Sequence, residues 1–182
     1  MKPFYVTRIN ISDVPVLSDS YDLPYPHNKK PFQTRPDQSG VNLGIKHKFN
    51  YHNCHKTPDW KIICERVRVS LAPFYGNLLI ENSWLNCYKE GNAVQWHNHL
   101  LQKTYITSLL FLNTHPTPLM LSTTTTLDDW DEIKRGTKTE VCITDKIDTL
   151  AGKLIAFETG IAHMVPECEK PDRWTLTTNF RK

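Results

Sequence analysis

Apolar and polar residues change period twice along this chain. Residues 4–11, FYVTRINI, alternate closely enough to predict a first strand, closed by Ser12-Asp13 and Pro15. The next stretch, SDSYDLPYPHNKKPFQTRPDQSG, has no period and carries prolines at 24, 26, 31 and 36. Proline fixes φ and removes a backbone donor, so neither a helix nor a central strand is expected there. A loop this long is either functional or disordered. Tyr21, Tyr25 and Phe32, spaced by polar residues within Asp19–Gly40, fit a mobile cover over a ligand. A static strap across the outside of a sheet fits them equally well.

The period turns helical at Thr57. Thr57 offers an N-cap, Pro58 the first helical position and Asp59 an acid in the first turn. Trp60, Ile63, Cys64, Val67 and Leu71 then recur at helical spacing as far as Pro73. One amphipathic helix over 57–73, bracing a sheet, is the expectation. From Leu78 the pattern is that of short strands between polar breaks: Leu78–Tyr88, Val94–His99, Thr104–Leu112 and Leu119–Thr123. Glu140–Thr144, Lys153–Phe157, His163–Val165 and Trp174–Phe180 continue the series. Strands of this length and spacing predict a mostly β sandwich or barrel. Thr123–Thr126 with Asp128, Asp129, Asp131 and Glu132 reads as a polar loop.

Composition narrows the picture modestly. A chain of 182 residues has room for one domain with a sizeable core. Its parts are an N-terminal strand and Pro-rich loop (1–56), the helix (57–73) and a β core (78–182). Aromatic residues make up 10% of the chain, which argues against disorder. The net charge of +3 is mild, and Lys29, Lys30, Arg35, Lys46 and Lys48 read as a solvated basic face. A nucleic-acid partner thus gains little support, although the charge does not rule one out. No apolar run approaches a membrane span, and the start, MKPFYVTRINISDVP, lacks the apolar region of a signal peptide. Cys54, Cys64, Cys87, Cys142 and Cys168 form no CxxC and are odd in number, which suits a reducing cytoplasm without a disulfide frame.

The chemistry begins at His97 and His99, separated only by Asn98. On a strand, residues i and i+2 face the same side, so both imidazoles point into one space. A third histidine from another strand would complete three corners of a metal site, and imidazole suits zinc, copper, iron and nickel alike. The plain alternative is a chance pair on a half-exposed strand. Upstream, His47, His52, Cys54 and His55 also suggest zinc, but their spacing matches no zinc-finger pattern. Downstream, the glycine-led run Gly152–Phe157 precedes His163, and Arg173 and Thr175 open the final strand. Taken singly, such a His is usually structural and such an Arg is usually a surface charge.

In order, these segments resemble the Fe(II)- and 2-oxoglutarate-dependent dioxygenases, in particular the prolyl-4-hydroxylase-like branch with its small phage-type members. The resemblance covers about Trp84 to Phe180. Tyr88, Gly91 and His97 stand as Y-x-x-G-x5-H, the spacing this branch shows before its first iron ligand. ITSLLFLN (106–113) is similar to the family strand that ends in Tyr-Leu-Asn, and GKLIAFETGIAHMVPE (152–167) to its Gly-led strand and distal His. RWTLTTNF (173–180) is similar to the segment whose basic residue holds the far carboxylate of 2-oxoglutarate.

The resemblance implies a double-stranded β-helix, or jelly roll, with a supporting N-terminal helix. It makes His97 and His163 iron ligands and Arg173 the cosubstrate anchor, with Thr175 adding a hydroxyl and Tyr88 lying alongside. Fe(II), 2-oxoglutarate and O2 are the implied cofactors. The implied reaction is hydroxylation of a substrate C–H, with a prolyl, free amino-acid or peptidyl side chain as the first expectation within a small-molecule or peptidyl class, in the cytoplasm (a host's, if phage-encoded). One departure stands out: the family's middle ligand is Asp or Glu, and here it is His99. Three neutral imidazoles leave the full charge on the metal, and a dianionic cosubstrate can balance it. A three-His set also serves zinc enzymes that activate water, with Arg173 then binding an anionic substrate. Two further alternatives remain: a non-catalytic jelly-roll module, or a carboxylate from Glu158 or Asp128–Glu132 in the place of His99.

Overall fold

The computed structural model describes residues 3–15, 17, 49–99, 105–124 and 141–182. The Pro-rich segment 19–40, His47 and the acidic run 128–132 lie outside the described residues. The strands are β1 (Phe4–Arg8), β2 (Phe49–His52), β3 (Leu79–Tyr88), β4 (Val94–His97), β5 (Ile106–Phe111) and β6 (His115–Ser122). They continue as β7 (Asp145–Thr149), β8 (Lys153–Glu158), β9 (Ala162–Val165) and β10 (Arg173–Arg181), and among the described residues one α-helix, α1 (Pro58–Tyr75), lies between β2 and β3. Six strands form a sheet in the order β1-β8-β5-β10-β3-β2, and four form a second in the order β4-β9-β6-β7. Every pairing is antiparallel. The fold is a double-stranded β-helix with α1 packed on the larger sheet. No helix among the described residues is long and apolar enough to cross a membrane.

Alternation along the strands explains why this sheet holds two separate cores. On β10, Trp174, Leu176 and Phe180 face α1 and join its Trp60, Ile63, Cys64, Val67 and Leu71. Leu109 and Phe111 of β5 and Ile155 and Phe157 of β8 face the other way and meet Leu119, Leu121 and Val165 of the smaller sheet. Sandwiched between the two cores, β10 is buried along almost its whole length. A strand covered on both faces loses the one-sided polar alternation of an outer sheet.

Several boundaries depart from expectation, among them β1, which ends at Arg8 rather than Ile11, and β4, which ends at His97 rather than His99. Strand β2 has no counterpart in the sequence reading. Residues 141–144 are not strand, and the strand assigned there begins instead at Asp145. Its sequence, DKIDT, is polar because β7 is an edge strand with alternate residues exposed. Strand β6 starts at His115 rather than Leu119, and Pro116 and Pro118 fall where its pairing with β7 shifts register. Proline cannot donate to a ladder, so the pairing breaks there while the chain stays extended. Helix α1 runs past Pro73 to Tyr75 and ends at Gly76, whose φ of 78° suits glycine. Thr57 sits at the N-cap position, but its hydroxyl donates to the Cys54 carbonyl (2.9 Å) instead of capping.

Candidate metal centre

Strands β4 and β9 run antiparallel with His97 directly opposite His163. That cross-strand pairing brings their ring centroids to 4.1 Å. His99 lies just beyond β4, and its backbone N–H donates to the Thr159 carbonyl (2.9 Å), which fixes the third imidazole over the same space. The His99 ring centroid is 5.3 Å from that of His97 and 5.2 Å from that of His163. One ligand atom from each of the three residues lies within 4.8 Å of the others, close enough for one ion to draw all three together. Among the described residues, this is the one His, Cys, Asp or Glu cluster that could hold a metal.

The protonation states suit a metal. His163 Nδ1 lies 3.0 Å from the Ile161 carbonyl, an acceptor, so Nδ1 carries the proton and Nε2 keeps its lone pair. Burial, then the neighbouring His97 and His99 rings, hold the His163 pKa well below the ordinary imidazole range. His163 therefore presents a neutral donor nitrogen to the cluster. Glu158 is exposed and stands outside the cluster. Of the upstream candidates, Cys54 and His55 have other surroundings. The His55 ring meets the Ser83 hydroxyl (2.8 Å), and Cys54 is fully buried with its thiol pushed up by burial.

Arg173 opens β10 opposite Tyr88 and is completely buried. Its Nε donates to the Thr117 carbonyl (3.2 Å), and its Cζ lies 5.2 Å from the Tyr88 ring centroid and 5.4 Å from that of Phe111. Nη1 and Nη2 are both buried with no hydrogen-bond partner. A buried, unpaired cation costs several kcal/mol, so this guanidinium needs an anion. Burial lowers the pKa of Arg173 and pushes the Tyr88 hydroxyl up to about 12, which keeps that phenol neutral. Thr175, on the same face of β10, accepts a hydrogen bond from Asn86 Nδ2 (3.3 Å). That bond leaves the Thr175 O–H available to donate, and Thr117, whose carbonyl accepts from Arg173 Nε, has its own Oγ1 buried without a hydrogen-bond partner. His115 positions that residue: its Nδ1 accepts the Thr117 N–H (3.1 Å), and its Nε2 donates to the Lys170 carbonyl (3.0 Å).

The sequence reading missed Thr117 and His115 because the prolines between them and Leu119 hid the strand. The inward alternation of His115, Thr117, Leu119 and Leu121 was nevertheless present in HPTPLML.

No family model matches the sequence, and no curated protein matches it. Solved structures do match. A prolyl-4-hydroxylase from Pseudomonas putida superimposes with a TM-score of 0.50 at 14% identity, over 75% of this chain and 73% of that one. A prolyl hydroxylase from Trichoplax adhaerens, in complex with a hypoxia inducible factor oxygen degradation domain peptide, gives 0.52 at 18% identity, over 77% and 64%. SnoK, a non-heme alpha ketoglutarate dependent carbocyclase from nogalamycin biosynthesis, gives 0.55 at 12% identity, over 75% and 65%. The chain has the fold of the 2-oxoglutarate-dependent oxygenases. At these identities the likeness carries the architecture alone. The residues themselves fit that group's cofactors: three neutral imidazoles suit Fe(II), and the orphaned guanidinium suits a carboxylate.

Proposed function

We propose that this chain is an Fe(II)- and 2-oxoglutarate-dependent oxygenase that hydroxylates a C–H bond of a small-molecule or peptidyl substrate. One observation carries the reading: a fully buried Arg173, with Nη1 and Nη2 unpaired, lies on the face of the larger sheet that the three histidines cover. His97, His99 and His163 would hold Fe(II). That ion, when bound, couples conversion of 2-oxoglutarate and O2 to succinate and CO2 with insertion of one oxygen atom into the substrate.

The chain's own residues do the rest. The planar fork of Arg173 matches a carboxylate through two parallel hydrogen bonds, and Thr117 Oγ1 adds a third donor. Tyr88 and Phe111 lie against the guanidinium, hold it in place and keep water from competing for its edge. The Ile161 carbonyl holds the His163 ring in the tautomer that ligates. Because the three imidazoles bring no negative charge, the dianionic keto acid balances the metal.

The three-His set also supports a second reading, a zinc centre that activates water. Turnover separates the two. The protein, loaded anaerobically with Fe(II) and then given 2-oxoglutarate, O2 and a substrate library, is expected to release succinate and CO2 stoichiometrically with any oxidised product. Loading that yields no succinate with any compound, while Zn(II) supports hydrolysis, overturns the oxygenase reading.

A further inference from the structure

Register across the larger sheet arranges the inward-facing side chains in rows. Arg173 lies opposite Tyr88, and the next row sets Thr175 between Asn86 and Phe111. In the third row Thr177 stands between Trp84 and Leu109, and in the fourth Asn179 stands between Asn82 and Thr107, with Phe157 following on β8. Arg173 and Asn179 are near opposite ends of β10, roughly 20 Å apart along a strand. The histidines overlie the third and fourth rows: the His99 ring centroid is 6.3 Å from that of Trp84, and the His163 ring centroid is 4.9 Å from that of Phe157. The fourth row is therefore the part of the wall by the metal centre that lies farthest from Arg173.

That row carries no charge, and its polar groups are not all satisfied. Thr107 Oγ1 donates to Asn179 Oδ1 (2.9 Å), and both residues are buried. Across from Asn179, Asn82 Oδ1 is buried with no hydrogen-bond partner. An acceptor removed from water and left unpaired costs free energy until a donor reaches it. A cation or carboxylate brought to the same place would lose its hydration with no counter-charge in the row.

We infer that Asn82 Oδ1, beside the Trp84 ring, receives an uncharged hydrogen-bond donor of the substrate, a carboxamide N–H or a hydroxyl. This rests on the oxygenase reading for the chemistry of the neighbouring centre. The substrate thus enters this end of the interior through a neutral polar group, and free zwitterionic amino acids are excluded.

Binding tests it without turnover. The protein is loaded with redox-inert Zn(II) and the non-decarboxylating analogue N-oxalylglycine, and probes are followed by saturation-transfer NMR. The probes are N-acetyl amino-acid primary amides, methyl glycosides, free amino acids, and N,N-dimethylamides, which accept but cannot donate. At least one member of the amide or glycoside set is expected to bind, and which set binds identifies the donor. Its affinity should fall tenfold or more in Asn82→Leu, while free amino acids and dimethylamides stay silent. Asn82→Asp keeps the acceptor, adds charge, and should shift preference toward ammonium-bearing probes. That variant answers if Asn82→Leu fails to fold.

Equal probe affinity in wild type and variants, no binding by either neutral set, or equal binding of zwitterions would overturn the inference. Succinate formation by the Fe(II)-loaded wild type is measured in parallel. Succinate together with Asn82-independent binding sinks only this subsite. Asn82-dependent binding without any succinate sinks the oxygenase reading and leaves the subsite standing.

Discussion

Replacing Arg173 separates its role as a receptor from its role in the fold. On the proposed reading, Arg173→Met should deprive 2-oxoglutarate of two charge-assisted hydrogen bonds from the otherwise unpaired Nη1 and Nη2, each contributing about 1.5–3 kcal/mol. With some repacking the loss in binding is about 3–5 kcal/mol, or roughly a hundred- to several-thousand-fold in affinity. The effect on the fold is smaller because two contributions oppose each other. The substitution removes a buried, unpaired cation, which stabilises, and it removes the Nε bond to Thr117 and the contacts with Tyr88 and Phe111, which destabilises. The melting temperature of the metal-free protein should therefore move by only a few degrees. Arg173→Lys keeps a charge but loses the fork, so its affinity should fall between the two. Anaerobic calorimetric titration of the Fe(II)-loaded proteins measures the affinities. 2-Oxobutanoate, which lacks the far carboxylate, serves as control and should bind wild type and Arg173→Met alike. If Arg173→Met binds 2-oxoglutarate within threefold of wild type, the carboxylate-receptor argument fails.

Metal should stabilise the protein by about 2.7 kcal/mol at a hundredfold excess over Kd. His163→Ala should abolish that gain and Glu158→Gln should keep it; undiminished affinity in His99→Ala would show that this imidazole does not ligate. Gly152 has a φ of 78°, and a Cβ there would stand 2.9 Å from the Ile9 carbonyl oxygen. Gly152→Ala should therefore cost at least about 1–2 kcal/mol for the left-handed backbone alone, read as a lower denaturation midpoint; an unchanged midpoint refutes it. Burial lowers the His55 and His115 pKa values below the ordinary imidazole value near 6.5. The native state then binds fewer protons than the unfolded one, so stability is complete above about pH 6.5 and is lost as pH falls toward the lowered values. Denaturant midpoints at about pH 7.5 and 5.5 check the sign, and a higher midpoint in acid would contradict it.

Much of this architecture is legible in local pattern because a strand or helix declares its buried face by its period. The apolar spacing from Trp60 to Leu71 marks the face of α1 that packs on the sheet, and alternation from Ile106 to Phe111 supplies both cores. The donor atoms of His97, His99 and His163 do lie together, although β4 ends at His97 and the His99 backbone is held by the Thr159 carbonyl rather than by strand alternation. Weakly apolar edges are harder to read. Strand β7 carries charges, and the prolines of β6 break its ladder without bending it out of the sheet.

By itself, then, the sequence determined the fold class, the packing face of the helix and a list of residues able to bind a metal and a carboxylate. Only the tertiary structure decided their partners. Local period says which face a side chain takes but not which strand lies opposite, since pairing is settled by burial and register over the whole chain. That choice set His163 against His97, left Nη1 and Nη2 of the buried Arg173 unpaired beside Thr117, and placed the open Oδ1 of Asn82 on the sheet face that the histidines cover.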